Sequence, residues 1–134
     1  MSINNCVFNG RPFTITGTGY DPEGQVLSHT LETLKQEELD ENKFFFIAGY
    51  LSSTSSVNPP DEFHTTWYGI GDPTECAFCT LAMKSGYELT LLEKEYPRLQ
   101  LFPFDSVRKR VSVIRNNAGK YISFVKGSIE SILE

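Results

Sequence analysis

Short apolar bursts alternate with turn-forming residues along most of the chain, and each burst predicts an element. Cys6–Gly10 and Phe13–Gly17 predict a hairpin around Asn9-Gly10, a pair that accepts positive φ. Asp21-Pro22-Glu23-Gly24 predicts a turn, with proline fixing φ and glycine closing it. Residues 28–43 are polar and acid-rich, which fits a solvated loop or an exposed helix. Phe44–Ser52 is apolar on all sides; this predicts a buried helix, with a strand still open at that length. Ser52–Asp61, with its serine run and Pro59-Pro60, predicts a loop. Thr65–Ile70 reads as a strand that Gly71-Asp72-Pro73 ends. Thr74–Ser85 then reads as a helix, with Phe78, Leu81 and Ala82 on one face. Leu99–Phe104, Arg110–Arg115 and Tyr121–Lys126 read as three strands, the last two joined through Asn116-Asn117-Ala118-Gly119, and a helix begins near Ser128. No repeat or linker divides the chain. Residues 1–134 are therefore expected to form one α+β domain, a mainly antiparallel twisted sheet flanked by helices.

Composition narrows the classes. At 134 residues and 40% hydrophobic, the chain is long enough to bury about two-thirds of its unfolded surface. Ten Phe and six Tyr exclude a disordered chain. Twelve Lys and Arg against 17 Asp and Glu give a net charge of −5, which excludes broad electrostatic binding to nucleic acid or anionic membranes. The apolar run from Phe44 to Leu51 falls far short of the ~20 residues of a membrane span, and no signal peptide is expected. Cys6, Cys76 and Cys79 make an odd count, which fits a reduced, intracellular setting better than a disulfide framework. Cys76 and Cys79 lack the second ligand pair of a zinc site, and neither His29 nor His64 supplies the spacing. They are expected to face a core, one helical turn apart.

Three stretches carry candidate chemistry. In Gly71-Asp72-Pro73-Thr74-Glu75, Asp72 as N-cap, Pro73 at N1 and Glu75 at N3 make a capping box. Spacing alone favours the cap; Glu75 can also accept a hydrogen bond from a ligand amine, and the two roles are compatible. Phe104 shortly precedes Arg108-Lys109-Arg110. An aromatic face stacks on a base and cations suit phosphates, although a core-facing Phe104 followed by a solvated basic edge has the same sequence. Lys126-Gly127-Ser128 places a cation at a helix start, or simply a surface lysine before a turn. There is no P-loop, no nucleophile elbow, no zinc-protease motif and no paired-carboxylate arrangement, and Gly17-Thr18-Gly19 is only half of a dinucleotide fingerprint. The residues by themselves point to an aromatic-plus-lysine nucleotide site.

In order, Thr16-Gly17-Thr18-Gly19-Tyr20-Asp21-Pro22-Glu23-Gly24, Gly71-Asp72-Pro73-Thr74-Glu75, Phe104 to Val113 and Val125-Lys126-Gly127 resemble the nucleotide-binding domain of P-type cation-transporting ATPases, most of all the calcium, sodium–potassium and proton pump group. The resemblance implies that Phe104 stacks on adenine and that Lys109 lines the path of adenine and phosphate. It implies that Lys126 with Gly127 forms the base of the pocket, that Glu75 lies near the adenine amine, and that Val111, where many relatives have methionine, offers an apolar wall. Arg108 belongs to the same basic cluster. Lys126-Gly127-Ser128-Ile129-Glu130 departs from the family's lysine-glycine-alanine-proline-glutamate. No Asp-Lys-Thr-Gly-Thr motif is present, and neither a catalytic residue nor a metal site is expected in the chain. The resemblance therefore implies a cytoplasmic piece of a larger membrane pump, truncated at its C-terminus. It would bind ATP (Mg-ATP in the whole pump) and present the γ-phosphate to an aspartate on a separate phosphorylation domain. A stand-alone nucleotide-binding module without pump activity is the competing reading; a redox or metal protein built on Cys76 and Cys79 is a third.

Overall fold

The computed structural model describes residues 1–134. β1 (Asn5–Phe8) and β2 (Arg11–Ile15) form the hairpin about Asn9 and Gly10, both with left-handed φ (+53° and +76°), and β3 (Val26–Leu27) pairs with β2. Then come α1 (Gln36–Glu41), α2 (Lys43–Leu51), β4 (Ser56–Asn58), β5 (Tyr68–Ile70), α3 (Pro73–Lys84) and α4 (Leu89–Glu95). β6 (Arg98–Phe102), β7 (Arg110–Asn117), β8 (Lys120–Gly127) and α5 (Ile129–Leu133) complete the chain. Every strand pairing is antiparallel, so the α+β expectation holds, although the strands divide into three small sheets.

The core is built around α2, which buries Phe46, Ile47, Tyr50 and Leu51 and leaves Phe44 half exposed. Phe46 points into one cluster with Phe13, Ile15, Val26, Leu39 and Leu81. Ile47, Tyr50 and Leu51 point into another with Cys79, Ala82, Leu92, Tyr96 and Phe124. α3 packs closely on α2 because Gly49 has no side chain: a Cβ there would overlap the Phe78 ring. Cys76 and Cys79 are free and buried, as their spacing predicts, Cys79 in the cluster with α2 and Cys76 against β4 and β5. Burial raises both thiol pKa values, that of Cys79 to about 12, so neither is a ready thiolate.

Three elements differ from the sequence reading, the two-residue β3 among them, which is too short for an alternating pattern. The stretch Ser52–Asp61 holds β4, whose pairing with β5 sets Val57 opposite Gly69; serine-rich sequence hides a strand whose partner lies outside the local window. α4 is not predicted at all. It is seven residues long, has no side-chain N-cap bond and buries only Leu92 within the helix, too little for a periodic signal.

Arg115 fastens α2 and α4 to β7. It is fully buried, and its guanidinium donates to the carbonyls of Leu51 and Tyr96 and to Glu93 Oε2, each at 2.9 Å. Desolvation alone would raise the Glu93 carboxyl, but hydrogen bonds from Arg115 and Tyr50 outweigh it and hold its pKa below the ordinary value. Replacing the cation strands buried acceptors, so Arg115→Met is expected to destabilise the domain by ~3 kcal/mol in urea unfolding. Because the folded pKa of Glu93 is depressed, its stabilising contribution is present above the unfolded value, about 4.3, and is lost as pH falls through the folded value. The stability difference between wild type and Glu93→Gln should therefore shrink below about pH 4; a difference that stays constant down the acid limb would contradict this assignment.

Candidate functional site

The site begins at the N-terminus of α3. Asp72 is the N-cap and accepts from the N–H groups of Thr74 (2.9 Å) and Glu75 (3.1 Å), with Pro73 in the first turn. The other half of the predicted capping box does not form. The N–H of Asp72 donates instead to Ser55 Oγ at 2.9 Å, because Gly71, with φ +108°, brings Ser55 against the helix start. Glu75 turns toward the segment after α2. Its Oε2 accepts from the N–H groups of Thr54 (2.7 Å) and Ser55 (3.3 Å) and from Ser55 Oγ (3.4 Å), while Oε1 lies 3.5 Å from Lys126 Nζ. Two amides and an ammonium satisfy a carboxylate better than the single N–H of a capping box.

Lys126 sits at the end of β8, opposite Val111 on β7. Period-two alternation places both on the sheet face that carries buried Val113 and Phe124. The core face thus runs out into the site, with Lys126 as its last side chain. Its ammonium donates to the Ser52 carbonyl (3.1 Å) and Ser53 Oγ (3.3 Å) in addition to pairing with Glu75.

Phe104 follows β6 and is 62% exposed, which disposes of the core-facing alternative for this ring. After it, Asp105 Oδ1 accepts from the N–H groups of Val107 (2.8 Å) and Arg108 (2.6 Å), and the Lys109 N–H reaches the Asp105 carbonyl (2.8 Å). This tight turn brings the chain into β7 with Lys109 at φ +54°.

These segments surround one open cavity of about 670 Å³. Of the residues singled out from the sequence, Glu75, Phe104, Lys109, Val111, Lys126 and Gly127 line it. Arg108 does not: its guanidinium donates to Ser112 Oγ at 2.7 Å and stands 5.8 Å from the centre of the Phe102 ring, on the other face of the sheet. Phe78, Thr74 and Ser106 line the cavity without having been singled out. The helical spacing of Phe78 identifies it as an inward residue, and only the packing on α2 shows that it also closes a cavity wall. The result is an apolar part walled by Phe78, Phe104 and Val111 beside Lys109 and Lys126, which suits a flat ring carrying an anion.

Residues 42–134 match the family described as P-type ATPase, cytoplasmic domain N. The chain is 29% identical over its full length to a calcium-transporting ATPase of Bacillus subtilis, of which it covers 15%. It is 34% identical over 84% of its length to calcium-transporting ATPase 1 of Lactococcus lactis, covering 13% of that protein. A sodium/potassium exporting P-type ATPase of Schizosaccharomyces pombe is 34% identical over 63% of the chain. The chain thus spans only about one-seventh of the length of the first two relatives, and no helix is long and apolar enough to cross a membrane. With its motifs, antiparallel α+β fold and matched region in agreement, the chain belongs to the P-type ATPase cytoplasmic domain N family.

Proposed function

We propose that this chain is the ATP-binding domain of a P-type cation-transporting ATPase, holding the nucleotide so that its γ-phosphate faces an aspartate on a separate phosphorylation domain of the pump. The observation that carries this reading is the convergence of exposed Phe104 with Lys109 and Lys126 on one cavity. Adenine stacks on Phe104 against the apolar walls of Val111 and Phe78, and the phosphates run toward the ammonium groups. Stacking on one aromatic contributes about 1–3 kcal/mol, and each charge-assisted hydrogen bond about 1.5–3 kcal/mol. Against an association cost of at least about 4 kcal/mol, binding falls in the micromolar to millimolar range. Weak binding suits a domain that must release ADP in every cycle.

No group of three or more His, Cys, Asp or Glu residues is arranged to hold a metal ion. In the whole pump, magnesium would arrive on the phosphates of the nucleotide. The remaining partners, the phosphorylation domain and the membrane helices, are supplied by the rest of that pump.

Titration with ATP, followed by NMR, is expected to shift the resonances of Glu75, Phe104, Lys109, Val111 and Lys126. Phe104→Ala should raise the Kd roughly tenfold while leaving the fold intact. A millimolar titration that moves none of these resonances would refute the assignment; parallel titrations with AMP and GTP separate the phosphate and base contributions. The chain has no Asp-Lys-Thr-Gly-Thr sequence, so a phosphate-release assay with the purified chain should stay at background. Turnover by this chain alone would show a nucleophile that the proposal does not contain.

A further inference from the structure

Lys109 adopts a left-handed backbone (φ +54°), which is unfavourable for a residue with a Cβ and persists only where its surroundings enforce it. The upstream turn capped by Asp105 supplies one constraint, through the Lys109 N–H. The other comes from far downstream. Ser131 in α5 is 5% exposed, and its Oγ lies 3.1 Å from the Lys109 carbonyl and 3.0 Å from that of Ser128. Its own carbonyl accepts the Arg110 guanidinium. Gly127, paired with Arg110 in the β7–β8 ladder, leaves the room for this approach. A Cβ at Gly127 would stand 2.8 Å from both the Lys109 carbonyl and Ser131 Oγ.

Ser131 itself does not line the cavity, whereas Lys109 does. The direction a side chain takes is set by its backbone dihedrals, so releasing Lys109 from the left-handed region would turn its Cβ, and with it the ammonium, away from its present course. We propose that Ser131 is a positioning residue. By holding the Lys109 carbonyl it aims the Lys109 ammonium into the cavity, and so governs affinity for the phosphates of the nucleotide but not for its base. This rests on the ATP-binding reading above.

The test is a set of titrations of the whole chain with ATP and with adenosine. Ser131→Ala should weaken ATP binding roughly three- to tenfold and leave adenosine binding unchanged. Ser131→Thr, which keeps the hydroxyl, should restore ATP affinity. In a Lys109→Ala background the Ser131→Ala loss should vanish, because there is no ammonium left to aim. Equal losses for ATP and adenosine, an undiminished loss in the Lys109→Ala background, or no loss at all would each overturn the proposal. A wild-type chain that binds neither ligand would overturn the ATP-binding reading and this one with it. Normal wild-type binding with an unaffected Ser131→Ala would overturn the positioning role alone.

Discussion

One carboxylate, that of Glu75, stands where three parts of the chain meet and bonds to all of them. It ties the start of α3 to the Thr54 and Ser55 amides and to the end of β8 through Lys126. Its side chain is only 13% exposed and that of Lys126 only 22%, so each offsets the desolvation of the other. Removing either would leave a largely buried charge opposite oriented dipoles that no longer have a partner. The cavity's base exists because this knot of contacts does.

The knot also makes the two lysines unequal. Lys126 already donates to Ser52 and Ser53 and pairs with Glu75, so an incoming anion would exchange old contacts for new ones. Lys109 makes no ion pair, and its backbone has been bent to bring it to the rim. A site with one partnered and one free cation gains less from an incoming anion than its formal charge implies, which under the proposed ATP-binding reading favours ready release.

How much of this was legible in the sequence depended on how local its cause is. The Asn9-Gly10 hairpin, the Asp72-Pro73 helix start and the β7–β8 hairpin were readable because turn and cap chemistry acts over a few residues. The partners of Glu75 lie 20 and 21 residues upstream, beyond any local pattern, so the capping box was half right. Arg108 and Lys109 are neighbours in sequence but go to different faces, because a left-handed residue separates the turn from the strand. β4 was hidden for the same reason as the Glu75 contacts: its partner strand is supplied by tertiary structure. The motifs marked the residues of the cavity, and the long-range hydrogen bonds determine which way each one faces.

Phe78 has a double duty with a consequence for how such a domain can change. One side of its ring rests against Gly49, deep in the α2–α3 contact, and the residue also forms a wall of the cavity. The interior and the binding surface therefore share a side chain, and neither can be remodelled alone. A larger residue at position 49 would push the ring outward into the cavity, while a smaller one at 78 would open a void between the helices. Substitutions at these two positions are therefore coupled by packing, and a change in the core here reshapes the cavity as well.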